Sequence, residues 1–167
     1  EDGRKIDLGR VGKVTEVNSQ LLATLCASHT IPVIAPVARD SRGDKLNVNA
    51  DSVAGKVAAA IKAEKLVFVT DTHGIRTNIN DPDSWVSTLD EEQIKKMIEA
   101  CIITDKMYPK VEACINAIDA GVQKAHIIDG RIPHSLLLEI YTDKGIGTEI
   151  VKSITERRRG LPDRRKS

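Results

Sequence analysis

The chain has 167 residues and a mass of 18.2 kDa, 41% of it hydrophobic and 29% charged, which is the scale of one domain with a real core and excludes a disordered chain. Four aromatic residues (Phe68, Trp85, Tyr108, Tyr141) are too few for a base-stacking platform, so nucleic acid is not an expected partner. The net charge of +1 hides a split: residues 152–167 hold seven Lys/Arg against two acids, so 1–151 reads as a mildly acidic body and 152–167 as a basic tail.

No apolar run approaches the ~18 residues of a membrane helix. Cys26, Cys101 and Cys114 are odd in number and lack CxxC or Cys/His spacing, which fits free thiols in a reducing compartment. The first residue is Glu and nothing near it resembles a secretion signal, so the expectation is a processed N-terminus or a piece of a longer chain.

In chain order, an extended segment containing DLGRVGKVTEV precedes a helix expected over 20–27, capped by Asn18 or Ser19. Residues 31–37 (IPVIAPV) are β-branched and bounded by turn residues, and read as a buried strand. A turn at 40–44 leads to LNVNAD, where Asp51 stands at a cap position before the small-residue helix SVAGKVAAAIKA. Residues 66–70 (LVFVT) form a second buried strand, and Asn78, Asn80, Asp81 and Pro82 break the loop beyond it. Thr88-x-x-Glu91 suggests a capping box for a helix to about residue 100. Pro109 opens another helix that stops at Gly121. A strand at 125–129, a helix over 133–141 and a last strand at 148–151 complete an alternation typical of an α/β protein with a parallel sheet.

Ligands of open parallel sheets bind beyond the carboxyl ends of the strands. Three polar clusters fall there: NVNAD (47–51), TDTHG (70–74) and DKMYPK (105–110). Each has a plain reading and a chemical one. Asp51 is an N-cap or a catalytic carboxylate; residues 71–74 are a turn or a ligand loop. Lys110 lies in the first turn of its helix, where the macrodipole disfavours a cation unless an anion binds at the same end. The chain has neither GxxxxGK[ST] nor GxGxxG, its histidines show no paired metal spacing, and no serine or cysteine sits in a nucleophile elbow.

Together, LNVNADSVAG, AEKLVFVTDTHGI, MYPKVEACINAIDAGV and HIIDGRIPHSLLLEIYTDKGIGTEIV resemble the C-terminal part of the N-acetylglutamate kinase branch of the amino-acid kinase family, over residues 11–151. The resemblance implies a three-layer αβα sandwich with a mainly parallel sheet, and ATP-dependent phosphorylation of the N-acetylglutamate side-chain carboxylate in arginine biosynthesis. By resemblance, Lys110 stabilises the transferring phosphoryl group, Asp51 organises the catalytic lysines, and Asn47 holds the acetylglutamate. Thr70, Asp71, Gly74 and Met107 fall where the family binds nucleotide. ATP would arrive with Mg2+ on its phosphates, and no metal is assigned to side chains. His134, Glu139 and Gly145 resemble the arginine-binding region of feedback-inhibited members.

The implied partners are the substrates, the N-terminal half of the enzyme or a homo-oligomer, and a PII-type signal protein. The implied location is cytoplasmic, or organellar in a eukaryote. Two departures stand out: the family's N-terminal glycine-rich loops, first catalytic lysine and substrate-gripping arginine have no counterpart here, and Lys106 stands where the family has glycine. They leave room for a non-catalytic structural or regulatory subunit that keeps the fold.

Overall fold

A computed structural model describes residues 9–78, 80, 81, 83–103, 106–142 and 145–154. Most of the basic tail and Asp105 lie outside the described residues. The elements run α1 (Ser19–Ala27), β1 (Val37–Arg39), β2 (Lys45–Asn47), α2 (Ala50–Ala60), β3 (Lys65–Thr70), β4 (Thr88–Asp90), α3 (Glu91–Glu99), α4 (Tyr108–Asp119), β5 (Lys124–Asp129), α5 (Ser135–Tyr141) and β6 (Thr148–Val151).

The main sheet has the order β3-β5-β6-β4, with β3/β5 and β4/β6 parallel and β5/β6 antiparallel. Side chains alternate across a strand, so register divides the sheet into two faces. Leu66 and Phe68 pair with Ala125 and Ile127, and Ala125 pairs with Ile150. This face packs on Val111, Cys114, Ala117 and Ile118 of α4, on Ala58 of α2 and on Ile94 and Met97 of α3. Burying each of the larger side chains stabilises the fold by about 1.5–3 kcal/mol. Helices α2 and α4 pack closely because Gly55 has no Cβ; an added one would stand 3.1 Å from the Ala113 carbonyl oxygen. On the opposite face His126 meets Glu139 of α5. Helices therefore cover both faces, giving the three-layer sandwich around a mainly parallel sheet.

Helix ends follow one pattern. After α1, α2, α3 and α4 the residue past the cap is left-handed: His29 (φ 57°), Lys62 (φ 52°), Cys101 (φ 55°) and Gly121 (φ 104°). The next N–H in each case bonds five residues back, Thr30 to Leu25, Ala63 to Ala58, Ile102 to Met97 and Val122 to Ala117. This is the Schellman closure, which satisfies carbonyls the helix leaves open.

The structure corrects three local expectations. Residues 31–37 do not form a buried strand: Ile31 and Val33 are 87% and 96% exposed, and only Val37 enters β1, which pairs with β2. Pro32 and Pro36 remove two of the segment's backbone donors, so it cannot run as a central strand. The cap of α2 is Asn49, whose side chain accepts from Ser52 N–H at 2.9 Å; Asp51 lies in the first turn. The capping box of α3 is Asp90 with Gln93, not Thr88 with Glu91, because Thr88 is in β4. Asn18 is confirmed as the cap of α1.

Candidate active site

Two of the residues singled out in the sequence meet directly. The Lys110 ammonium donates to Asp51 Oδ2 at 3.0 Å, across 59 residues of chain, and both side chains are largely buried at 23% and 20% exposure. Lys110 is in the first turn of α4 and Asp51 in the first turn of α2, the two helices that pack together. Each helix start favours a negative charge. Asp51 is stabilised there and in turn holds Lys110, which the dipole alone would repel. The result is a fixed ammonium beside two helix N-termini, an arrangement suited to an anion. Asn47 is exposed at the end of β2, three residues before α2 begins.

Asp71, Gly74 and Met107 line a cleft at the carboxyl end of β3, and Thr70 is the last residue of that strand, outside the lining. The cleft is about 310 Å3, with apolar walls from Ile75, Ile102, Ile103 and Met107, and with Asp71 and Gly74 in its lining. Thr70 Oγ1 donates to Asp71 Oδ1 at 3.3 Å. Gly74 has φ 101°, and a Cβ there would lie 2.5 Å from Thr148 Oγ1, so only glycine fits. Thr148 Oγ1 accepts from Ile75 N–H (2.8 Å) and donates to the Val86 carbonyl (2.6 Å), locking the loop onto the sheet. Thr72 Oγ1, also in this cleft, is buried without a hydrogen-bond partner among the described residues.

Sequence reasoning missed the group next to this cleft. Asp129, at the end of β5, is 1% exposed and forms a two-pronged pair with Arg131 (Nε–Oδ1 3.0 Å, Nη2–Oδ2 2.7 Å). His73 Nε2 lies 3.5 Å from the same carboxylate. Hydrogen bonding from the Arg131 side chain outweighs burial and lowers the Asp129 pKa to about 2. The signal available in the sequence was position alone: the last residue of a strand beside the ligand-binding end of its neighbour.

His134, Glu139 and Gly145, expected at an effector site, lie along and beside α5. His134 is an exposed left-handed residue (φ 59°) at the start of α5, and the histidine that meets Glu139 is His126, with Nδ1 to Oε1 at 2.7 Å. Glu139 Oε2 also accepts from Ile146 N–H (2.7 Å) and Gly147 N–H (2.9 Å). Burial would raise the Glu139 pKa, but bonds from His126 and the two N–H groups together lower it, so the carboxylate is ionised at neutral pH. Gly145 packs on Glu139; an added Cβ would lie 2.6 Å from its Oε2. The pair borders an open cavity of about 810 Å3 between α5 and the sheet, where Lys65, Lys124 and Glu149 also face. His126 Nε2 is buried with no partner among the described residues.

Residues 1–129 match the family model described as Amino acid kinase family. Acetylglutamate kinase of Methanothrix thermoacetophila is 49% identical over 149 residues, covering 89% of this chain and 52% of that protein. Acetylglutamate kinase of Methanococcus vannielii is 51% identical over 148 residues, covering 89% of this chain and 50% of that protein. The chain thus spans about half the length of the curated relatives it matches. Among solved structures, N-acetylglutamate synthase from Neisseria gonorrhoeae, complexed with coenzyme A and L-arginine, superposes with a TM-score of 0.81 at 25% identity. That match covers 89% of this chain and 34% of the synthase. The chain belongs to the amino acid kinase family.

Proposed function

We propose that the chain is the nucleotide-side half of an enzyme that transfers the γ-phosphoryl group of ATP to the side-chain carboxylate of N-acetyl-L-glutamate. The observation that carries this reading is the Lys110–Asp51 pair at the start of α4, whose cap residue Met107 lines the cleft, in a chain 49% and 51% identical to two acetylglutamate kinases. A carboxylate nucleophile is ionised at neutral pH, so no general base is required. The obstacle is aligning two anions, and catalysis comes from positioning and positive charge. Lys110 aims that charge at the phosphoryl oxygens, and Asp51 holds the ammonium in place. Asn47 holds the acetylglutamate. Ile75, Ile102, Ile103 and Met107 suit the flat base, with Thr70, Asp71 and Gly74 beside it, and the unpaired Thr72 hydroxyl offers the nucleotide a hydrogen bond. Magnesium bound to the phosphates supplies further charge neutralisation.

The remaining groups come from the half of the relatives' length that this chain does not span. Val33, Ile34 and Val37 are exposed and line a groove of about 810 Å3. That face suits packing by the other half. A homo-oligomer, a PII-type signal protein as regulator and a cytoplasmic location rest on the resemblance alone. The competing reading is a non-catalytic subunit, favoured by the exposed Lys106 where the resemblance expects glycine. A hydroxylamine trap for acyl phosphate decides between them, using protein isolated from its source with MgATP and N-acetylglutamate, and with aspartate and glutamate as controls. Product with N-acetylglutamate alone supports the enzyme; none from folded protein supports the subunit.

A second site is favoured by the cavity beside α5. Glu139, held by His126 and two backbone N–H groups, and Glu149, paired with Lys124 at 2.8 Å, are the carboxylates in its lining, and L-arginine, whose guanidinium would compete with Lys124 for Glu149, is the ligand this reading assigns. Calorimetry with L-arginine and L-citrulline tests it; equal binding of the two would rule out recognition through the guanidinium.

A further inference from the structure

Beyond the residues that resemblance assigns, two cations line the nucleotide cleft with no role in the scheme above, Arg76 and Arg131, and Arg131 is the one whose guanidinium is gripped by a buried carboxylate. Arg131 lines the cleft together with Asp71 and Met107, and its side chain is 63% exposed. Its position is fixed from three sides. Nε and Nη2 grip the buried Asp129, and its backbone N–H donates to Asp129 Oδ1 at 2.9 Å. The preceding Gly130 lies flat on the end of β3: its N–H donates to the Thr70 carbonyl at 2.8 Å, and a Cβ would stand 2.5 Å from Val69 Cγ1. A guanidinium has five N–H donors and no acceptor, and two groups used on Asp129 leave donors for a ligand. Held in this way, it loses little freedom on binding an anion.

We propose that Arg131 binds the phosphate chain of the nucleotide, with Asp129 as the residue that positions it. The inference rests on the nucleotide reading of this cleft. The apolar residues there offer nothing to an anion, and the Asp71 carboxylate repels one. Arg131 and Arg76 are the guanidinium groups in the lining. Of the two, Arg131 is the one held by Asp129, so it offers a phosphate chain donors that are already oriented while its charge offsets that of Asp129. Adenosine, which lacks phosphate, needs neither.

The test is equilibrium binding of ADP and of adenosine to the chain, at low and high salt. Wild-type protein should bind ADP more tightly than adenosine, with the difference shrinking at high salt. R131M should weaken ADP roughly tenfold and leave adenosine within about twofold, while R131K, which keeps charge but loses the fork, should fall between. The double variant D129N/R131M separates contact from shielding, since it removes both charges together. ADP binding that stays weak in it supports a direct phosphate contact; recovery to the wild-type level overturns the proposal, leaving Arg131 only a shield for Asp129. Should R131M fail to fold, R131K and the double variant carry the comparison. Equal losses for ADP and adenosine, or equal wild-type affinities for the two, overturn the Arg131 role alone. Wild-type protein that binds neither overturns the nucleotide reading beneath it.

Discussion

Three glycines separate two reasons why a position excludes side chains. Gly43 has φ 87° with nothing within 4 Å of a built Cβ, so Gly43→Ala carries backbone strain only, about 1–2 kcal/mol. Gly147 has an ordinary φ, but a Cβ would stand 2.3 Å from the Ile127 carbonyl oxygen in the middle of the sheet. Gly147→Ala therefore carries overpacking, about 1–3 kcal/mol, and little strain. Gly74 combines the two: φ is 101°, and a Cβ would meet Thr148 Oγ1 at 2.5 Å and Thr148 N at 2.9 Å. Moving Thr148 also endangers its bonds with Ile75 and Val86, each worth about 1 kcal/mol. Gly74→Ala should then cost about 3–5 kcal/mol, a large share of a typical domain's stability. Urea unfolding of the three variants, read as ΔG at constant m, measures this directly. A Gly74→Ala cost no larger than that of Gly43→Ala would refute the clash, and with it the claim that Thr148 fixes the cleft wall.

Lys110→Met should lower kcat by at least about a hundredfold while the nucleotide Kd stays within about twofold, measured by acyl-phosphate trapping and by calorimetry; parallel loss of both contradicts the assigned role. Asp129 has a depressed pKa, so its contribution to stability is complete above the ordinary value of 3.8 and is lost as pH falls from there to about 2. Asp129→Asn should flatten that acid limb in a circular-dichroism titration, and an unchanged profile would contradict the pairing. Lys62→Gly and Cys101→Gly each relieve a left-handed side chain and should raise stability by about 0.5–1 kcal/mol in denaturant melts. Val33→Lys should leave stability within about 0.5 kcal/mol, because the side chain is 96% exposed, but should block association with the other half in a pull-down of co-expressed halves.

The elements most legible in the sequence were those whose pattern and surroundings agree. Residues 66–70, 125–129 and 148–151 are apolar and β-branched, and all three are strands in the sheet. Residues 31–37 have the same composition, yet β-propensity largely reflects fit to a half-buried surface, and this segment has no such surface to pair with. Strand β4 was hidden because its three residues, Thr88–Asp90, also read as a helix start. Helix ends show the same limit. Gly121 announced the end of α4, whereas His29, Lys62 and Cys101 adopt the same left-handed geometry without a glycine to mark it. There the Schellman bonds outweigh the strain of a side chain at positive φ, and no local rule reveals that.

The candidate site was legible wherever one residue type at one position suffices. Lys110 at a helix start was electrostatically unusual in the sequence, and the structure supplies the reason in Asp51, 59 residues away. The histidine beside Glu139 was not legible in that way. His134 is nearer in sequence, but it precedes α5 on an exposed turn, whereas His126 lies on β5 and points to the face that α5 covers. Choosing between them requires knowing which face of β5 meets α5. That follows from pairing Ala125 and Ile127 with the core face, which puts His126 on the other side. Asp129 then falls at the strand's carboxyl end, beside the cleft at the end of β3. A single strand therefore supplies His126 to the cavity beside α5 and, through Asp129, the anchor for Arg131 in the cleft beyond β3, and its register with β3 and β6 determines both placements.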